Sequence, residues 1–131
     1  MPGSFGTNVA LEVIPGQGPV GPGSQNNLIA LLSTQDGLTA HAGGGQGSAT
    51  PITSRMARFS TCATLNDSSL LPAATAGLVV TVRNDGAAGM NIFPQNNGDI
   101  INALAVNTAI SLAAATTMIF RCYTTGKWVT N

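Results

Sequence analysis

From about residue 52 onward the chain is written in short apolar stretches that turn residues interrupt roughly every 8–12 positions. This rhythm fits about six or seven short strands in one β-rich unit. SRMARFSTCAT (54–64) alternates Met56, Arg58, Ser60 and Cys62 against Arg55, Ala57, Phe59 and Thr61, which predicts a strand. SLLP (69–72) is a short extended piece. GLVVTVRNDG (77–86) is the strongest element: Leu78, Val80 and Val82 share one face, Val79, Thr81 and Arg83 the other. It ends in Asn84-Asp85-Gly86, a hairpin-turn signal, and GMNIFP (89–94) is expected to return beside it. After the turn cluster QNNGD (95–99), INALAVNTAISLAAA (101–115) has alanines that could support a helix; the favoured reading is an extended piece, a turn near Asn107 and a strand over 109–112. TTMIFRCYTTG (116–126), with Met118, Phe120 and Cys122 on one face, and a terminal strand over 127–130 close the ladder. The expected fold is all-β: an antiparallel, jelly-roll-like β-sandwich over residues 51–131.

The first 50 residues have another character. They hold eleven of the 16 glycines and four of the seven prolines. GQGPVGPGS (16–24) lacks the third-residue glycine of collagen. In HAGGGQGSATP (41–51) three consecutive glycines carry a high ordering cost. VALEVI (9–14) and LIALLS (28–33) are nevertheless apolar and of strand length. Residues 1–50 therefore predict an extended arm that orders on another surface. Its candidate anchors are Val9, Leu11, Val13, Ile14, Leu28, Ile29, Leu31 and Leu32.

Charge is scarce. Asp, Glu, Lys and Arg make up 8% of the chain, against about 25% in an average domain. Five acids balance five bases. A free monomer so poor in charge is weakly protected against association, so partner protein is expected to cover much of its surface. No basic run exists to neutralise phosphates, which argues against nucleic acid. The apolar runs fall far short of the ~20 residues needed to cross a membrane. The N-terminal MPGSFGTNVALEV does not read as a secretory signal, so assembly in a cytoplasm is expected. In that compartment Cys62 and Cys122 are read as small, half-buried thiols rather than as a disulfide.

Candidate chemistry is thin, and no enzyme is expected. The lone histidine, His41, sits beside the triple glycine, which cannot position a general base. GGGQGS lacks the lysine of a phosphate loop. Asp85 and Asp99, with Asn84 and Asn97, are read as turn residues rather than calcium ligands. Trp128 beside Tyr123 is read as a packing residue rather than a sugar platform. No cofactor or metal is expected.

ATPIT (49–53), LPAATAGLVVTVRNDGA (71–87), NIFPQNNGDIINALA (91–105) and TGKW (125–128) together resemble a domain found in small structural proteins of tailed bacteriophages. The resemblance covers residues 49–128. It implies a β-sandwich virion component, foremost a head decoration, or cement, protein, with tail, baseplate and fibre modules as relatives. It carries no catalytic residues. A cement protein lies across capsomer seams on the head surface, so the expected partners are the major capsid protein and further copies of the chain, as a homotrimer or otherwise a homodimer. A glycan-binding host-attachment domain is the alternative from another class.

Overall fold

In β5 (Val79–Asn84) the side chains alternate strictly: Val80, Val82 and Asn84 are buried, while Val79, Thr81 and Arg83 stay partly exposed. Period-two burial of this kind makes a strand the only backbone that satisfies the sequence. The computed structural model describes residues 33–131, and the anchors assigned to residues 9–32 lie outside them. Besides β5, the strands are β1 (Thr34–Thr39), β2 (Thr50–Pro51), β3 (Met56–Thr61), β4 (Asp67–Leu70), β6 (Met90–Phe93), β7 (Ile100–Ile101), β8 (Ile110–Leu112), β9 (Thr116–Thr124) and β10 (Lys127–Thr130). A 3-10 turn, Gln46–Ser48, is the one helical segment among the described residues.

The strands form two sheets. One is six-stranded in the order β1-β3-β5-β9-β10-β7; the other is four-stranded in the order β2-β4-β6-β8. From β1 to β9 the chain changes sheet at every step. Successive visits to one sheet stack in parallel: β1 on β3, β3 on β5, β2 on β4, and β4 on β6. This is a short β-solenoid arrangement in which each coil lays one strand on either sheet. Antiparallel pairs enter only toward the C-terminus, at β5–β9, β6–β8 and β9–β10, and β10 pairs with β7 in parallel. The all-β expectation holds, but the sheets are mixed and the expected antiparallel jelly-roll ladder is not what forms. Alternation specifies which face a side chain takes; it carries no information on strand direction.

The expected boundary at residues 50 and 51 also falls inside the β unit, which runs from Thr34 to Asn131. β1 is a full member of the larger sheet, and Ala40, Ala49 and Ile52 are buried. The glycine-rich stretch after β1 is held down rather than left loose. His41 and Ser68 exchange backbone hydrogen bonds, both of 2.9 Å, and Gln46 Nε2 donates to the Pro94 carbonyl at 2.6 Å. Gly44 is required there, because a Cβ would lie 2.4 Å from the His41 ring and 2.7 Å from Ser68 Oγ.

Asn84-Asp85-Gly86 does not close a hairpin. It is a corner that sends the chain from β5 into the other sheet. The Asn84 side chain is buried; its Nδ2 donates to the carbonyls of Ala88, Leu112 and Ala113, and its Oδ1 accepts the Gly86 amide at 2.9 Å. Gly86 stands where a Cβ would meet the Cys62 backbone nitrogen at 2.3 Å, so close packing of adjacent coils, not a positive φ, selects glycine. Two aspartates serve other corners. Asp67 accepts the amides of Gly43, Ala63 and Thr64 at 3.0–3.1 Å, and Asp99 accepts that of Ala74 at 2.8 Å. Tight turns elsewhere place Asn66, Asn102, Asn107 and Ala115 at positive φ, a conformation that asparagine tolerates better than most residues.

One buried cluster draws Phe59, Val82, Phe120 and Trp128 from the larger sheet and Met90, Ile92 and Leu112 from the smaller. Trp128 meets Phe120 edge to face, with ring centroids 6.4 Å apart. Its indole Nε1 and Ser69 Oγ have no protein hydrogen-bond partner among the described residues, so apolar contact alone holds the indole there. Cys62 and Cys122 are free and buried. The Cys62 carbonyl accepts from Ala88, beyond one end of β5, and the Cys122 amide donates to Leu78, before the other end. A six-residue strand spans about 20 Å, whereas a disulfide needs Cα atoms within about 7 Å.

Replacing Asn84 by alanine removes one hydrogen-bond partner from each of four backbone groups, of which the Ala113 carbonyl keeps the Thr116 hydroxyl. A loss of about 2–3 kcal/mol is expected, read as a lowered urea midpoint. A shift below about 0.5 kcal/mol, the range of ordinary surface changes, would remove the corner's importance.

Candidate functional site

The face of the six-stranded sheet turned away from the core is where the exposed charge collects. Register aligns its side chains in rows across the strands. Met56, Thr81 and Ile119 form one row, Arg58, Arg83 and Thr117 the next, and Val79, Arg121 and Val129 a third. Tyr123 and Lys127 continue the face beyond them. Met56 and Tyr123 are 56% and 72% exposed, large values for apolar-bodied side chains at the start of β3 and near the end of β9.

Parallel pairing puts Arg58 directly beside Arg83. Two guanidinium groups side by side repel, and the sequence resolves this with carboxylates from two other positions. Asp85 lies between them, accepting from Arg58 Nε at 2.7 Å and from Arg83 Nε at 2.6 Å. Asp36, on β1, accepts from Arg58 Nη1 at 2.7 Å and from the Gly37 amide at 2.8 Å. Arg83 Nη1 reaches Thr117 Oγ1 at 3.4 Å. The Arg58 hydrogen bond, then that of Gly37, holds the Asp36 carboxyl below the usual carboxylate range. The bonds from Arg58 and then Arg83 do the same for Asp85. The cluster spans β1, β3, β5 and β9 and is exposed to solvent, so it fixes side-chain placement more than it adds stability.

The opposite surface differs. β2, β6 and β8 carry no charged residue; one outward row of the smaller sheet is Ser68, Asn91 and Ser111, and the next pairs Leu70 with Phe93. The loop from His41 covers Ser68. His41, Asp67 and Ser68 are neighbours, yet they are not assembled for nucleophilic chemistry. Ser68 is fully buried, and its hydroxyl donates to the His41 carbonyl at 3.5 Å. Asp67 is occupied by three backbone amides, and among the described residues no hydrogen bond joins the imidazole to either side chain.

The other sequence candidates separate in the same way. Asp85 and Asp99 do not converge: one joins the arginines, and the other is buried at a corner. Asn97 Oδ1 accepts the Asp99 amide at 3.1 Å, as a turn residue does. Trp128 is fully buried, so the packing reading holds and no tryptophan platform for a sugar exists. Burial, and then the nearby Asp67 carboxylate, push the Cys62 thiol above its usual range, which keeps it protonated and unreactive. The arginine–aspartate cluster went unseen in the sequence because its members lie on four strands whose neighbours depend on parallel register.

No protein-family model matches the chain, and neither does any curated protein or solved structure. What stands, then, is the class: an all-β unit of mixed sheets, with coils stacked in parallel and one charged face.

Asp67 has a depressed pKa, because the Thr64 amide, then those of Gly43 and Ala63, stabilise its charged form. A carboxylate depressed on folding contributes stability that is fully present above the unfolded value, here 3.8, and is lost as pH falls toward the folded value. Asp36 and Asp85 add to the same trend. Urea midpoints are therefore expected to hold from neutral pH down to about pH 4–5 and to fall below it. Asp67→Asn should lower the midpoint at pH 7 and flatten this acid limb. An unchanged limb in the variant would contradict the corner role of Asp67.

Proposed function

We propose that the chain is a non-catalytic structural component of a tailed-phage particle, acting as a head decoration protein that spans capsomer seams as a homotrimer or homodimer. The phage-domain resemblance over residues 49–128 motivates the reading. One structural observation supports it best: among the described residues β1 and β2, the two strands of the first coil, both terminate their sheets, so two strand edges lie at one end of the stack. An unpaired strand edge is a template for strand addition by another chain. Stacked coils suit a load-bearing role, since each coil is supported by its neighbours through backbone hydrogen bonds. The gripping segment in this reading shortens to the residues before Thr34, with Val9, Leu11, Val13, Ile14, Leu28, Ile29, Leu31 and Leu32 as proposed contacts to the major capsid protein.

The same edges would serve a tail, baseplate or fibre module. Placement on the particle separates the two readings. With the full-length chain tagged and detected by gold label on purified particles, dense labelling over the whole head is expected. A few labels at one vertex would move the protein to the tail. Particles that carry none of the chain would overturn the virion reading altogether.

A further inference from the structure

We infer that the outer face of the six-stranded sheet is a docking surface for an acidic, partly apolar protein surface. The inference goes beyond the proposed role and does not depend on a phage particle. The chain is formally neutral, with five bases against five acids. Two of those acids are withdrawn from the surface: Asp67 and Asp99 are 1% and 4% exposed and are held by backbone amides. Glu12 lies outside the described residues. All five bases, by contrast, remain at least partly exposed. The surface of the β unit thus shows five cations against two carboxylates, Asp36 and Asp85, both already bound to arginines.

Among the described residues no carboxylate pairs with Arg55, Arg121 or Lys127. Arg121 and Lys127 stand on the outer face of the larger sheet, and Arg55 sits at its margin, where its carbonyl accepts the Thr81 amide. Between and beside these cations lie Met56, Ile119 and Tyr123. A protein interface is commonly built this way, with an aromatic or apolar centre bordered by arginine and rim charge. Tyr123 is two residues from Arg121 on the same face of β9, about 7 Å away. That spacing lets one partner segment meet the ring and the guanidinium together.

Charge complementarity selects the occupant. Two copies placed face to face would oppose unpaired cations with unpaired cations. Nucleic acid would require a longer run of phosphate contacts than three separated cations provide, and Asp36 and Asp85 already fill the forks of Arg58 and Arg83. A protein surface carrying carboxylates around an apolar patch meets both features.

The test uses the full-length protein and a fluorescein-labelled random copolymer of glutamate and tyrosine, followed by anisotropy, with polyglutamate, heparin and duplex DNA as parallel probes. The copolymer is expected to bind more tightly than polyglutamate, and binding should weaken as salt rises from about 0.05 M to about 0.5 M. The double variant Arg121→Thr/Lys127→Thr should lose affinity about tenfold or more. Tyr123→Ser should lose several-fold for the copolymer and little for polyglutamate. Circular dichroism and Trp128 emission check that each variant is folded, and Tyr123→Ser alone carries the test should the double variant fail to fold. Absence of copolymer binding, unchanged affinity in the folded variants, or tighter binding of heparin or DNA than of the copolymer would each overturn the inference.

Discussion

Every coil of this molecule depends on its corners. To lay β3 beside β1 in parallel, the chain must leave one sheet, run through the other and return in register. Each crossing leaves backbone amides that no ladder pairs. Three buried polar side chains meet that demand. Asp67 takes three amides, Asn84 joins one amide to three carbonyls, and Asp99 takes the amide of Ala74. Without them the corners would carry unpaired groups, each costing about 1–3 kcal/mol. A β unit with so few large apolar side chains has little reserve against several such losses.

This solution has an electrostatic consequence. Carboxylates spent on corners are not available to the surface. The chain balances its charges in composition, but folding draws Asp67 and Asp99 inward and leaves the bases outside. The bases then gather on one face, because β3, β5, β9 and β10 each turn basic side chains away from the core. The smaller sheet contributes serine, asparagine and the Leu70–Phe93 pair to its own outer side. One molecule thus has a charged face and a neutral one, and the asymmetry follows from which acids the backbone needs.

Much of the β content was legible in the sequence. The alternation in 79–84 sets Val80 and Val82 on one face, as expected, and the fold turns that face to the core; the turn residues at 84–86, 95–99 and near Asn107 all interrupt strands. Direction was not legible. A period of two and regular turns describe antiparallel sandwiches and parallel coils equally well. The feature that separates them is an internal repeat of 20–50 residues, and here stacked positions such as Met56 on Thr81 and Phe59 beside Asn84 differ in type, with Arg58 on Arg83 the one identical pair between β3 and β5. Asn84-Asp85-Gly86 misled for the same reason. Asn-Asp-Gly marks a reversal in a hairpin, whereas here the asparagine is chosen for hydrogen bonding inside a corner and the glycine for contact with Cys62. The glycines at 43–45 suggested a loose arm. Instead Gly44 fits beneath His41, and Gly43, at φ 59°, donates its amide to Asp67.

Parallel stacking of β3 on β5 is the claim on which the corners, the arginine pair and the charged face all rest. Backbone proton contacts in solution measure it directly. Cross-strand NOEs should connect Met56 with Thr81, Ala57 with Val82, Arg58 with Arg83 and Phe59 with Asn84, advancing together along both strands. Contacts that instead run in opposite senses along these two strands, or that pair β5 with β6 as a hairpin, would contradict it.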